Sequence, residues 1–168
     1  MPEIRAAVIG AGRLGSLHAA KYAELAGVRL AYVVDVARER AAQVAGKFGA
    51  TALTDYRSLA GKIDLATVAS PGSTHFEIAS TLLGAGIDVL LEKPMAATLA
   101  EARGLAAISA QSERILQIGH LERFNPAVVH LHSLVKAPRF VECHRLAPFS
   151  ERGTDVDVIL DLMVHDLD

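Results

Sequence analysis

Short apolar runs and alanine-rich stretches alternate along the first 120 residues, and this rhythm restricts the fold more than any other feature. Five apolar runs are predicted to be strands: Ile4–Ile9, Leu30–Val34, Leu65–Ala69, Asp88–Leu91 and Ile115–Ile118. Four stretches between them are predicted to be helices: Leu14–Leu25, Arg38–Phe48, His75–Gly84 and Leu99–Ala110. The runs are mostly apolar and do not alternate strictly with polar residues, as expected for parallel strands with helices on both faces. The sequence therefore predicts an α/β fold with a doubly wound parallel sheet.

The rhythm changes after Gly119 and His120. From there the sequence predicts a loop that ends at Pro126, then a helix, a strand over Pro138–Leu146 and a last helix over residues 155–168. One strand and two helices are too few to enclose a core of their own. We therefore expect a first domain over residues 1–120. Residues 121–168 are expected to be the incomplete start of a second domain or an appendage of the first.

Composition argues against several classes of function. The 168 residues include 17 lysines and arginines and 19 aspartates and glutamates, so the net charge is near −2. No basic block is present to bind nucleic acid, and no apolar run reaches the ~18 residues of a membrane-spanning helix. Cys143, the single cysteine, cannot form an internal disulfide, and Met1 leads into a strand-like run without a signal-peptide pattern. We expect a cytoplasmic protein with neither nucleic-acid nor membrane partners.

A glycine-rich loop, within "VIGAGRLGSLHAA", follows the first predicted strand directly. In such a loop Gly10 would make the tight turn, Gly12 would let the backbone approach a pyrophosphate, and Gly15 would let helix and strand pack closely. The phosphates would lie at the helix N-terminus, where N–H groups and the positive end of the dipole attract anions. The pattern therefore predicts dinucleotide binding on a Rossmann-type sheet. The alternative is a tight turn without a ligand.

Asp35 ends the second predicted strand, twenty residues past Gly15. An acidic group there is placed to accept a hydrogen bond from a ribose 2′-hydroxyl, which favours NAD over NADP. Arg38 and Arg40 follow closely and could weaken this preference. The alternative is a surface aspartate without a ligand.

Polar residues follow three of the predicted strands: Ser70-Pro71, Glu92-Lys93 and Gly119-His120. In an open parallel sheet, ligands bind beyond the carboxyl ends of the strands. We therefore expect Glu92 and Lys93 to face one cleft with the cofactor, and Lys93 to lie where a substrate meets the nicotinamide. The alternative is that both charges end a strand in solvent.

The last predicted helix carries Asp161 and His165 four residues apart, on one helical face. A carboxylate one turn from an imidazole can orient it for acid/base work near neutral pH. The alternative is an ordinary surface or core histidine. No spacing typical of a metal site is present, so we expect no metal. His18, inside the first helix, is expected to pack under the glycine loop without a chemical role.

Five motifs, spread in order along the chain as far as residue 168, carry a family resemblance: "GAGRLGSLHA", "ASPGSTHFEIA", "LLEKPMA", "IGHLERFNPAV" and "DLMVHDLD". Their order and spacing resemble the glucose-fructose oxidoreductase, inositol dehydrogenase and rhizopine catabolism (Gfo/Idh/MocA) family of NAD(P)-dependent sugar dehydrogenases. The resemblance implies that Lys93 contacts the reacting hydroxyl and that His165, beside Asp161, is the acid/base. The predicted cofactor-binding residues are Gly10, Ala11, Gly12, Arg13, Leu14, Gly15, Asp35, Ser70, Pro71, His75, Glu92 and Lys93.

The substrate implied by the resemblance is a nucleotide sugar, because the stretches after residue 118 look most like those of UDP-N-acetylglucosamine 3-dehydrogenases. The reaction would move hydride from the 3-position of a UDP-N-acetylhexosamine to NAD. Dehydrogenation of inositols or simple sugars, and NAD binding without turnover, remain alternatives. Family members are roughly twice this length, with an α+β second domain that lines the sugar site and forms a dimer or tetramer interface. The resemblance thus implies a homo-oligomer, and a truncated chain.

Overall fold

Six parallel strands form one sheet in the computed structural model of the protein, which describes residues 3–142, 144 and 163. The strands are β1 (Ile4–Ile9), β2 (Val28–Val34), β3 (Thr51–Leu53), β4 (Leu65–Val68), β5 (Asp88–Leu91) and β6 (Leu116–Ile118). Their order across the sheet is β3-β2-β1-β4-β5-β6. The order reverses direction at β1, so the connections wind both ways from the centre and the predicted doubly wound fold is confirmed.

Four helices connect these strands: α1 (Arg13–Glu24), α2 (Arg38–Phe48), α3 (His75–Gly84) and α4 (Leu99–Ser112). Successive residues of β1 bury on opposite sides of the sheet. Ala6 and Val8 pack with Tyr22 of α1, whereas Ala7 and Ile9 join a second cluster that includes residues of α3 and α4. Both faces of the central strand are therefore covered, which explains why it is apolar without alternation.

The predicted elements differ from the structure in one missed strand and one wrong strand. Strand β3 was not anticipated, because its three residues are half-exposed or exposed and pair only with β2 at the sheet edge. A strand was predicted over Pro138–Leu146, but residues 138–142 and 144, the part that the structure describes, are not strand. Without a paired neighbour an extended segment leaves its N–H and C=O groups to solvent.

The chain divides between Ile118 and Gly119 into two units, residues 1–118 and 119–168. The second unit contains the predicted helix after the loop, α5 (Pro126–Leu134). Asn125 caps α5, because its Oδ1 accepts from the Ala127 N–H at 3.0 Å, and Pro126 occupies the first helical turn. The predicted helix over residues 155–168 lies outside the described residues. Within the described part of the chain, no helix is long and apolar enough to cross a bilayer.

Candidate functional site

The glycine loop joins β1 to α1, and packing alone requires two of its glycines. Gly10 has a φ of +91°, and a Cβ there would lie 2.6 Å from the Ala69 carbonyl oxygen. A Cβ on Gly15 would lie 1.7 Å from the Gly10 carbonyl oxygen and 3.2 Å from Val8 of β1. These distances confirm the tight turn and the close packing of helix and strand.

Gly12 is not required by packing. Its φ of −74° suits any residue, and a Cβ built there meets no protein atom within 4 Å. Neither backbone strain nor crowding explains a glycine at this position. A glycine is explained when another molecule must approach the backbone, as the pyrophosphate does in dinucleotide-binding loops.

The N-terminus of α1 suits an anion. Gly12 is the N-cap residue of α1 and has no side chain to cap the helix. Among the described residues, the first turn of α1 also contains no acidic residue. Helix α4 differs, because Thr98 and Glu101 form a reciprocal capping box at its start. The first turn of α1 therefore has neither a capping side chain nor an acidic residue of its own, which favours a negatively charged ligand at this place.

Asp35 follows β2 and links the glycine loop to the start of α2. Its side chain is buried; Oδ2 accepts from the Ala11 N–H at 2.8 Å, and Oδ1 accepts from the Ala37 N–H at 2.9 Å. The Arg40 Nε lies 3.3 Å from Oδ2. The carboxylate thus holds the glycine loop through the Ala11 N–H. Its predicted hydrogen bond to a ribose stays a prediction.

An open cleft lies at the carboxyl ends of β1, β2 and β4. Its lining residues are Ile9, Gly10, Val34, Asp35, Val36, Thr54, Tyr56, Ser70, Thr74, Glu77 and Ile78. The structure therefore brings three predicted cofactor residues, Gly10, Asp35 and Ser70, to one cleft. Of the other predicted loop residues, Ala11 is buried, Leu14 is half-buried, and Arg13 is exposed, as is Pro71 after β4.

His75 begins α3 and is 1% exposed. Its Nδ1 lies 2.7 Å from the Pro94 carbonyl oxygen and its Nε2 lies 3.0 Å from the Ser70 carbonyl oxygen. Carbonyl oxygens only accept hydrogen bonds. A ring nitrogen of His75 that carries a hydrogen therefore donates it to one of these two turns. His75 therefore connects the turns after β4 and β5, and its predicted direct contact with the cofactor stays a prediction.

Glu92 is buried and does not face the open cleft as predicted; it is 4% exposed. Its Oε1 lies 2.7 Å from Nε2 of His18. Burial alone would raise the pKa of Glu92, but the hydrogen bond and charge of His18, with the Lys93 N–H and His75, outweigh burial and lower it. His18 therefore has an electrostatic role that its sequence position did not reveal.

Lys93 follows Glu92 and is half-buried. The peptide bond to Pro94 is cis. The Glu92 N–H donates to the Val68 carbonyl oxygen at 2.9 Å, which continues the pairing of β5 with β4 and places Lys93 at the carboxyl edge of the sheet. The predicted catalytic role of Lys93 is untested by this geometry. Asp161 and His165 lie outside the described residues.

Comparison with known proteins identifies the family. Residues 4–120 match Gfo/Idh/MocA, an oxidoreductase family with an NAD-binding Rossmann fold. The chain belongs to this family. The match covers the glycine loop and both Asp35 and Lys93.

Curated relatives include two sugar-related enzymes. The chain is 41% identical over 169 residues to the UDP-N-acetylglucosamine 3-dehydrogenase of Acidithiobacillus ferrooxidans, covering 100% of this chain and 53% of that protein. It is 32% identical to inositol 2-dehydrogenase 4 of Saccharopolyspora erythraea, covering 99% of this chain and 52% of that protein. The chain spans about half the length of the curated relatives it matches.

Solved structures give the same result for the fold. The UDP-N-acetylglucosamine 3-dehydrogenase GnnA from Acidithiobacillus ferrooxidans matches with a TM-score of 0.91 at 41% identity, over 99% of this chain and 55% of that chain. GenD2 from gentamicin A biosynthesis, solved in complex with NAD, matches with a TM-score of 0.77 at 31% identity. That match covers 80% of this chain and 39% of that chain.

Proposed function

We propose that the protein is an NAD-dependent dehydrogenase that oxidises a sugar hydroxyl, at the 3-position of a UDP-N-acetylhexosamine. The observation that carries this proposal is Gly12, a glycine that neither strain nor packing requires, at the uncapped start of α1. The same sheet edge holds Asp35 after β2 and Lys93 after β5. A cofactor loop and a candidate reacting lysine therefore share one edge.

The residues present fit NAD. The N-terminus of α1 would hold the pyrophosphate, and Asp35 would accept from the adenosine ribose while repelling the 2′-phosphate of NADP. Arg40 lies 3.3 Å from the Asp35 carboxylate and partly offsets that repulsion. We therefore expect NAD to bind more tightly than NADP, with a modest preference. Titration of the chain with each cofactor measures it, and tighter NADP binding would contradict the assignment.

The chemistry needs groups that manage the hydroxyl proton. Bound NAD would supply the hydride acceptor for the hydrogen on the sugar carbon. As the hydroxyl loses its proton, its oxygen gains negative charge, which the Lys93 ammonium would stabilise. That charge is used up as hydride leaves the carbon for NAD and the C=O bond of the ketone forms. His165, oriented by Asp161, would accept the hydroxyl proton.

The substrate class rests on similarity. The relative at 41% identity is named a UDP-N-acetylglucosamine 3-dehydrogenase, and several at 28–32% are named inositol 2-dehydrogenases. We therefore place a UDP-N-acetylhexosamine first and an inositol second. NADH absorbance, followed with UDP-N-acetylglucosamine or myo-inositol as substrate, separates the two. We expect the 168-residue chain to bind NAD with little turnover, because it spans about half the length of these relatives.

The decisive experiment replaces Lys93 in the whole protein. Lys93→Ala should lower turnover about 10²–10⁴-fold, the usual worth of a positioned acid/base group. NAD affinity should barely change, because Lys93 is remote from the phosphates in this assignment. Lys62→Ala, at an exposed lysine, is the matched control. Normal turnover in Lys93→Ala would refute the proposed role.

We also propose a cytoplasmic homo-oligomer. Helix α5 leaves Val129, Leu131 and Leu134 more than half exposed, and apolar surface of this kind usually has a partner. The single cysteine suits a reducing compartment. Sedimentation velocity at micromolar concentration should show a dimer or larger species, and a sharp monomer boundary would contradict this; cell fractionation tests the location.

A further inference from the structure

Two histidines, His18 half-buried and His75 buried, contact the residues on either side of Lys93. His18, on α1, binds the carboxylate of Glu92, the residue before Lys93, at 2.7 Å. His75, on α3, lies 2.7 Å from the carbonyl oxygen of Pro94, the residue after it. These contacts span 74 and 19 residues of sequence, so folding alone brings them together.

The His18 contact connects the lysine to the cofactor loop. His18 lies three residues after Gly15, within the first turns of the helix that the glycine loop begins. Glu92 is joined to Lys93 by a peptide bond, so the carboxylate that contacts the loop helix belongs to the residue directly before the lysine. A shift of α1 would therefore be transmitted to Lys93.

The His75 contact connects the lysine to the turn after β4. Its second nitrogen lies 3.0 Å from the Ser70 carbonyl oxygen, and Ser70 lines the cleft. Stability alone gives a weak reason for the pair of His18 and Glu92, because well-packed apolar residues of similar volume often replace such ion pairs without loss. A buried pair is better explained where position matters.

We propose that His18, through Glu92, and His75, through Pro94, are positioning residues that set where the Lys93 amine lies relative to the bound cofactor. This inference rests on the proposed dehydrogenase function. Neither histidine needs to touch substrate or cofactor, and each acts through its neighbour of Lys93. Misplacing a reacting group by about 1 Å can cost on the order of 10²-fold in rate.

The test uses His18→Leu, His18→Gln and His75→Leu, with His130→Gln at an exposed histidine of α5 as the control. Acetic anhydride labels lysines in the 168-residue chain with and without saturating NAD, and peptide mass spectrometry gives the rate at Lys93. Lys47 and Lys62, both exposed, are internal references. NAD affinity is measured by titration, and turnover in the whole protein.

We expect NAD to change the labelling rate of Lys93 in the unsubstituted chain and in the control. In His18→Leu and His75→Leu that change should largely disappear, and kcat should fall about 10- to 10²-fold with NAD affinity nearly retained. His18→Gln, which keeps a donor, should recover part of the loss.

Folded variants with normal Lys93 labelling and normal kcat would overturn the inference while leaving the proposed function intact. An unsubstituted chain that binds no NAD would overturn both. If circular dichroism shows that all the substitutions unfold the chain, the contacts determine the fold rather than position the lysine, and the inference also falls.

Discussion

The two glycines that flank the start of α1 should respond in opposite ways to the same substitution. In Gly15→Ala the new Cβ would lie 1.7 Å from the Gly10 carbonyl oxygen, half the 3.4 Å at which ordinary contact begins. The obstacle is backbone, so helix and turn must separate. In Gly12→Ala the new methyl meets no protein atom within 4 Å and the backbone angles are permitted.

The magnitudes follow from these distances. Overpacking costs about 1–3 kcal/mol, and a clash with backbone puts Gly15→Ala near the upper end. At about 2–4 °C per kcal/mol for a chain of this size, its Tm should fall by roughly 5–10 °C. In Gly12→Ala a poorer helix cap costs about 0.5–1 kcal/mol, and the stiffer unfolded chain offsets about 0.4–1 kcal/mol, so Tm should barely move.

NAD binding should change in Gly12→Ala even though the stability of that variant does not. Gly12→Ala should weaken NAD about tenfold or more, near 1.4 kcal/mol, because the methyl occupies the space into which the pyrophosphate approaches. Differential scanning fluorimetry and NAD titration on both variants supply the comparison. Unchanged NAD affinity in Gly12→Ala would refute the ligand explanation of that glycine. An unchanged Tm in Gly15→Ala would refute the packing explanation of the other.

Two further substitutions test the charges around the loop. In Asp35→Asn an amide NH2 group replaces one carboxylate oxygen and faces a backbone N–H. The free energy of unfolding in urea should therefore fall by about 1–3 kcal/mol, and the preference for NAD over NADP should become smaller. Unchanged stability and an unchanged preference would contradict the role of the carboxylate. The pKa of Glu92 is lowered from 4.5 in the folded chain, so its stabilising contribution is present above that value and is lost as the pH falls through the lower folded pKa. The stability difference between the unsubstituted chain and Glu92→Gln, measured by urea unfolding from pH 6 to pH 3, should shrink with falling pH, and a constant difference would count against the pairing with His18.

Local signals in the sequence predicted the strands and the loop well. β1, β5, α2 and α3 have the predicted bounds, because apolar runs and alanine-rich stretches mark them without ambiguity. The loop glycines were assigned by the strand before them and the helix after them. β2 begins two residues earlier than predicted, since Val28 and Arg29 extend the pairing with β1 beyond the apolar run.

Contacts between distant residues could not be predicted in the same way. A histidine inside an alanine-rich helix gives no sign of its partner, and only the fold brings His18 to Glu92. The burial of Glu92 was predicted wrongly for the same reason. A carboxylate that ends a strand is expected to face solvent or a ligand unless its partner is known. A histidine after the glycine loop, read together with a glutamate that ends a buried strand, is the signal that could have suggested the pair.

The central place of β1 makes the glycine loop depend on chain segments far from it. The Gly10 N–H donates to the Val34 carbonyl oxygen, and the Ala69 N–H donates to the Ile9 carbonyl oxygen, each at 2.8 Å. The loop has its shape only after β2 and β4 have both paired with β1, and closing such long segments costs chain entropy. A peptide with every glycine of the motif would therefore hold the residues of the binding loop without its geometry. Cofactor affinity in this fold therefore depends on sheet assembly, because a partly folded chain that keeps α1 but has lost β4 keeps the helix N-terminus without the loop geometry beside it.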